Sequence, residues 1–202
     1  MKKLFRSVFL LAAVVLPVCL GMLIADKQTL SRDLIRLHVV AASNSEEDQN
    51  VKLLVRDAVT RQAESLLADV QTAKEAAAIL EANLPLLTRA ANDALAEAGS
   101  ADLAAVTFEK EAFPARHYET FSLPSGVYQS LRVHIGSAQG ENWWCVVFPS
   151  LCINAVSGEQ KDVAAASGFS HSLNGAITGK QPYTISFFFL DCLGKLENLF
   201  FS

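Results

Sequence analysis

Apolar residues run without a charge from Val8 to Ala25, directly after Lys2, Lys3 and Arg6. Basic residues followed by such a run form the n-region and h-region of an export signal. As a helix the run would span roughly 27 Å, close to the thickness of the hydrocarbon core, so a retained anchor fits the pattern as well as a cleaved signal. Leu23 and Ala25 supply only half of a small-x-small cleavage site, and Val18 is a poor residue before a lipid-modified Cys19. The flanking positive charges keep this end in the cytoplasm, which places everything after Asp26 outside the membrane of synthesis. Residues 1–27 are therefore read as a signal peptide or membrane anchor, and 28–202 as one extracytoplasmic domain.

Beyond that segment the pattern changes element by element. Ile35, Leu37 and Val39 alternate with Arg36, His38 and Val40, which predicts a strand over 34–41. Ser43 to Asp48 supplies turn and cap residues, so a helix should begin near Ser45, with Glu46, Glu47 and Asp48 in the first turn where the helix dipole favours negative charge. Its apolar stripe is Val51, Leu54, Val55, Ala58 and Val59, with Lys52, Arg56 and Arg61 off it. A capping-box spacing at Thr72–Glu75 starts a second amphipathic helix that ends at Gly99, and Pro85 should kink or break it.

Period two returns over 103–112, where Val106 and Phe108 alternate with Thr107 and Glu109. Pro124 and Gly126 mark a tight turn, after which Val127, Leu131, Val133 and Ile135 alternate with Tyr128, Ser130, Arg132 and His134. The short connection 136–142 predicts a return into Trp143–Phe148 as an antiparallel hairpin over 127–148. Because Trp143–Phe148 is apolar on both faces, both need cover, and the carboxyl-terminal segment is the obvious candidate. Residues 154–182, rich in Gly, Ser and Asn and without sustained periodicity, read as a mobile loop. Tyr183, Ile185 and Phe187 alternate as a short strand, and Phe189, Leu193, Leu196 and Phe200 then recur at helical spacing. The fold class expected is α+β: a small, mostly antiparallel sheet with amphipathic helices packed on one face, preceded by the N-terminal signal or anchor helix.

Charge narrows the partners. Removing residues 1–27 takes away four of the 17 Lys and Arg and one of the 21 Asp and Glu, so the remainder carries a formal charge of −7. No basic cluster follows the amino terminus, which argues against nucleic acid. Cys145 and Cys152 form a candidate disulfide, which would stabilise the fold by about 2.5 kcal/mol in the chain-entropy model; two buried thiols fit the spacing equally well. No common zinc spacing is present.

A search for catalytic chemistry finds no Gly-x-Ser-x-Gly and no His-Glu-x-x-His. Ser170-His171-Ser172 lies in the loop, His117 in a connection, and Glu46–Asp48 is explained by capping. Gly136–Gly140 lacks the lysine of a phosphate loop and leads into a strand. No catalytic, cofactor-binding or metal-ligating residue is assigned. Trp143 and Trp144 point to opposite faces of their strand, so at most one can meet a ligand or partner while the other packs inward.

Two blocks, IRLHVVAASNSEEDQNVKLLVRDAV at 35–59 and LPSGVYQSLRVHIGSAQGENWWCVVFPSLC at 123–152, resemble the stage II sporulation protein R family. The first carries Arg36, Asn44, Ser45, Glu47, Asp48, Gln49, Lys52, Arg56 and Asp57. The second carries Pro124, Gly126, Tyr128, Leu131, Arg132, Gly136, Gly140, Asn142, Trp143, Trp144, Cys145, Phe148, Pro149 and Cys152. The resemblance implies a protein made in the forespore and exported to the space between the forespore and mother-cell membranes. There it triggers a membrane-embedded aspartic protease, which removes the pro-segment of the early mother-cell sigma factor, pro-sigma E. The catalytic aspartate then belongs to the partner, and this chain is not an enzyme. Trp143 or Trp144 is a candidate anchor on the protease, and Arg36 with the turn Asn44–Asp48 a candidate polar part of the same surface. The competing class is an exported peptide or cell-wall hydrolase, whose mark would be convergence of His38, His134 and an acid in one cleft.

Overall fold

The computed structural model of the chain describes residues 2–118, 122–150 and 185–201. The predicted loop 154–182, Tyr183 and Cys152 lie outside these residues. The described elements are α1 (Lys2–Asp33), β1 (Ile35–Val40), α2 (Glu46–Leu66), α3 (Ala73–Ala82), α4 (Leu84–Glu97), β2 (Ala104–Phe113), β3 (Arg116–His117), β4 (Ser122–Leu123), β5 (Gly126–Ile135), β6 (Asn142–Phe148) and α5 (Ile185–Phe201). They fall into two compact units, one built from Ser31–Glu111 and Tyr128–Gly168, the other from Met1–Leu30, Ala112–Val127 and Phe169–Ser202.

In the first unit, local sequence chemistry sets the helix ends. Ser45 Oγ accepts from Asp48 N at 3.1 Å and Thr72 Oγ1 from Glu75 N at 3.3 Å, so each hydroxyl satisfies a donor that the first turn leaves open. Pro85 does break the second predicted helix: α3 ends at Ala82 and α4 starts at Leu84 with the proline in its first turn, where a missing N–H costs nothing. Asn92 then ties α4 to β2, its amide donating to Ala104 O at 3.0 Å and accepting from Ala104 N at 2.9 Å.

The sheet has the order β2-β5-β1-β6. This corrects the hairpin expected over 127–148, because β1 lies between β5 and β6, parallel to the first and antiparallel to the second. The sheet is therefore mixed within an α+β fold. The physical reason lies in β1, whose six residues are all buried. A strand covered on both faces belongs in the interior of a sheet, where both of its edges also find hydrogen-bond partners.

One face of the sheet carries Ile35, Leu37 and Val39, in register with Leu131 and Val133 on one side and with Trp143 and Cys145 on the other. These join Val51, Val55, Val59 and Ala63 of α2, Leu80 of α3, and Leu87, Ala91 and Leu95 of α4 in one hydrophobic core. The helices thus cover a single face, as the sequence predicts. The stripe of α2 is rotated from the predicted one: Leu54 is exposed, whereas Lys52, Arg56, Asp57 and Thr60 are buried.

The second unit holds the β3–β4 pair, with Arg116 opposite Leu123, and helix α5. Helix α5 starts at Ile185, so Ile185 and Phe187 are helical and the short strand predicted there is absent. Helix α1 continues beyond the expected boundary at residue 27 to Asp33. Among the described residues no helix is long and apolar enough to cross a membrane.

The connection from β5 to β6 is fitted to the end of β1. Gly140 N donates to Ala41 O at 2.9 Å, and Ser137 Oγ to Ala42 O at 2.7 Å. A Cβ on Gly140 would sit 2.2 Å from Ser43 O, a backbone atom that cannot turn away. Gly99, by contrast, needs glycine only for its φ of +73°, since a Cβ there meets nothing within 4 Å. Gly140→Ala should therefore cost about 1–3 kcal/mol, and Gly99→Ala about 1 kcal/mol or less. Urea unfolding of the two variants checks this order; equal midpoints would mean that the connection is not held against β1.

Candidate functional site

The face of the sheet turned away from α2–α4 is polar. It is built by alternation: Arg36 and His38 of β1 stand beside Ser130, Arg132 and His134 of β5, through the register Arg36↔Ser130, His38↔Arg132 and Val40↔His134. Glu111 comes from β2 and Trp144 and Asn142 from β6.

His38 is at the centre of this face and is buried. Its Nδ1 lies 2.7 Å from Glu111 Oε1, its Nε2 lies 2.7 Å from Asn142 Oδ1, and its ring stacks on Trp144 at 3.7 Å. Ser130 Oγ donates to Glu111 Oε2 at 2.9 Å, and Arg132 stands 3.7 Å from Glu111 and 3.5 Å from Glu109. Burial by itself would raise the Glu111 carboxyl, yet the hydrogen bond and charge of His38, with Ser130 and Arg132, hold it below its ordinary value. The pKa of His134 is lowered as well. Burial first, then the charges of Arg132 and His38, favour its neutral form against the weaker pull of Glu109 and Glu111.

The convergence required of a hydrolase is thus partly met, since His38, Glu111 and Ser130 are linked and His134 shares their face. The connectivity differs from that of a nucleophile and its base. The Ser130 hydroxyl donates to the carboxylate, and both imidazole nitrogens are occupied, so no side chain here is set up to surrender a proton to His38. No group of three or more His, Cys, Asp or Glu able to hold a metal ion occurs among the described residues.

The two tryptophans do take opposite faces, and each is engaged within its own unit. Trp144 stacks on His38, while Trp143 packs on the core with the Arg56 guanidinium 4.3 Å above its ring. Arg56 is in turn paired with Asp57 at 2.7 Å, so a buried cation is neutralised and stacked at once. Lys52, one helical turn earlier, donates to Gln49 Oε1 and, at 3.1 Å, to Glu141 O. Burial lowers its pKa against the opposing charge of Glu141.

Arg36 is fully buried, its guanidinium 5.2 Å from the Tyr128 ring centroid. Asn44 lies in the connection after β1 and Asp48 in the first turn of α2. Asn44 is exposed and its Oδ1 accepts from Glu141 N at 2.8 Å; Asp48 accepts from Ser43 Oγ. Gln49 Nε2 donates to Ser43 O at 2.8 Å, closing the turn. Cys145 is disulfide-bonded and Cys19 and Cys192 are free, while Cys152, the expected partner of Cys145, lies outside the described residues. The sequence reading gives no role to Glu111, places Ser130 only on an alternating face, and names Asp57 only within the first family-like block. Alternation assigns Glu111 and Ser130 a parity but not a neighbour, and Asp57 looks like an ordinary helix-surface acid.

These features define an α+β sheet protein whose polar residues brace one another across strands instead of lining an open cleft. A family model described as stage II sporulation protein R (spore_II_R) matches residues 31–158. A relative named "Stage II sporulation protein R", from Bacillus subtilis (strain 168), is 31% identical over 151 residues, which is 72% of this chain and 67% of the relative. The chain belongs to the stage II sporulation protein R family. No solved structure matches it.

The sign of each shift fixes a pH dependence. Glu111, held below its ordinary value of 4.5, contributes stability that is present above that pH and is lost as pH falls through its folded value. His134, held below 6.5, contributes stability that is present above pH 6.5 and declines as pH falls below it. Glu111→Gln should therefore destabilise the protein most near neutrality, by about 1–3 kcal/mol, with the gap to the parent closing below pH 4.5. Denaturant unfolding across pH 3–7 measures it; a gap that does not change with pH would remove Glu111 as an ionised member of the network.

Proposed function

We propose that this protein is an exported sporulation signal that activates a membrane-embedded aspartic protease in the mother-cell membrane, triggering maturation of pro-sigma E. The observation that supports it is family membership over residues 31–158, which takes in both the turn block and the tryptophan block. In this reading the chain is made in the forespore, crosses into the intermembrane space by its N-terminal segment, and works by binding. An acidic exported part and a polar network braced across strands are consistent with that role.

The partner-facing surface in this reading includes the end of the sheet where Asn44 and Asp48 are displayed, with Trp143 or Trp144 as anchor. Half-buried tryptophans suit such a role because their exposed part adds contact area while the rest is already held rigid. Arg36 acts from beneath by fixing Tyr128. The pairing of Cys145 with Cys152 belongs to the same proposal, since an oxidising compartment would preserve it.

A second reading, an exported hydrolase, is favoured only by the meeting of His38, Glu111 and Ser130. The two diverge under His38→Gln, which keeps a hydrogen-bonding group in place but removes the imidazole. A hydrolase would lose turnover entirely, whereas an activator would keep its function to the extent that it stays folded.

The direct test is reconstitution of pro-sigma E processing by the protease with and without this protein. Cleavage should depend on its addition, and Trp143→Ala and Trp144→Ala should show which ring is the anchor by a loss of cleavage at unchanged secondary structure. Processing that proceeds equally without the protein would end the activator reading, and full activity of both folded tryptophan variants would end the anchor assignment.

A further inference from the structure

Helix α5 is clamped along one face and bare along the other. On the inner face Phe187 and Leu190 are buried, and Asp191 Oδ1 accepts from Ser125 N at 3.0 Å and Ser125 Oγ at 2.6 Å. Gly194 passes so near the same residue that a Cβ would lie 1.6 Å from Ser125 O. Glu197 accepts from Lys27 Nζ and from Val127 N, the latter at 3.1 Å, and Asn198 Nδ2 donates to Phe113 O at 2.9 Å. These positions recur every three or four residues and so share one side of the helix.

The opposite side reverses the usual arrangement of a surface helix. Phe188, Phe189, Leu196, Leu199 and Phe200 are exposed, the last two at 74% and 82%. Both acids of the helix are engaged on the inner side, and Lys195 pairs back to Asp191 at 2.9 Å. A protein interface would be expected to offer a polar rim around its apolar centre. Here the exposed apolar residues are flanked by the Cys192 thiol and by Lys195, itself 70% exposed, and an apolar face with a basic edge suits a lipid surface.

The occupant follows from where α5 is fixed. Lys27, which binds Glu197, stands two residues after the last member of the uncharged run Val8–Ala25 and in the same helix, about 3 Å along its axis. Val18, Met22 and Ile24 of that helix are exposed as well. A chain that enters a bilayer through this run therefore carries α5 at the point where it leaves the hydrocarbon. Asp191 remains ionised in its inner site, where Ser125 and Lys195 outweigh the cost of burial and hold its carboxyl below its ordinary value.

We propose that the outward face of α5 docks on the lipid surface of the membrane that takes up residues 8–25, making the C-terminal helix a second membrane contact. This rests on the anchoring part of the proposed function and not on activation of the protease. It concerns residues beyond the stretch matched by the family model, which ends at 158.

Two native thiols allow the test in the full chain. A nitroxide is placed on Cys192 in a Cys19→Ser background and on Cys19 in a Cys192→Ser background. Each protein is reconstituted in phosphatidylethanolamine–phosphatidylglycerol vesicles, and accessibility to oxygen and to a water-soluble nickel chelate is read by electron paramagnetic resonance. The expected result is severalfold lower nickel accessibility at Cys192 in vesicles than in detergent-free dilute protein, reversed by Leu199→Asp/Phe200→Asp with helicity unchanged. Free nickel access at Cys192 with Cys19 in lipid would overturn the proposal and leave the anchor standing. Water access at both thiols would overturn the anchor and the proposal together. Protection of Cys192 that depends on protein concentration and persists without vesicles would assign the face to a second copy of the chain and likewise overturn it.

Discussion

Strand β1 sets the terms for the unit around it. All six of its residues are buried, yet they alternate in kind, with Ile35, Leu37 and Val39 on one side and Arg36, His38 and Val40 on the other. The apolar side can be satisfied by helices of almost any sequence with an apolar stripe. The polar side cannot, because a guanidinium and an imidazole taken out of water need aromatic faces, carboxylates or amides in place. Tyr128, Glu111, Asn142 and Trp144 supply them from three other strands. The sheet order follows from this need: β5 and β6 must flank β1, and β2 must lie beyond β5 for Glu111 to reach His38.

The same logic operates on the helix side, where Arg56 is the exception to an apolar core. Its charge is balanced by Asp57 and its flat face by Trp143, so α2 and β6 are joined by chemistry as well as by packing. Lys52 extends that seam to the Glu141 carbonyl, and Asn44 and Gly140 hold the adjoining turn and connection together. Much of the polar sequence in residues 35–59 and 123–152 is accounted for by this mutual bracing. The bracing also leaves the turn residues Asn44 and Asp48 in a fixed, accessible place at the end of the sheet. A protein that acts by presenting a surface benefits from such rigidity, because little conformational freedom is left to lose on binding.

The unit that includes α5 uses its polar groups differently. Asp191, Glu197 and Asn198 are turned inward to hold backbone donors and acceptors near Ser125, Val127 and Phe113. The apolar side chains displaced from that face are left outward. An apolar surface of this kind is stable in water only at a cost.

Periodicity and caps were sufficient for β1, for the start of α2 at Ser45, for the break at Pro85 and for the opposite facing of Trp143 and Trp144, because each depends on residues close in sequence. The two family blocks were likewise legible as linear patterns. The pairing of strands was not: alternation in 127–148 describes two strands equally well whether they touch or admit β1 between them, and only burial of β1 on both faces decides it. The strand read at Tyr183–Phe187 failed at Ile185 and Phe187 because a short alternating stretch also fits the start of an apolar helix. Burial of Lys52, Arg56 and Asp57 was hidden for a related reason. Their sequence positions mark them as solvent-facing, and only the tertiary fold brings Trp143 and the Glu141 carbonyl near enough to make burying them tolerable.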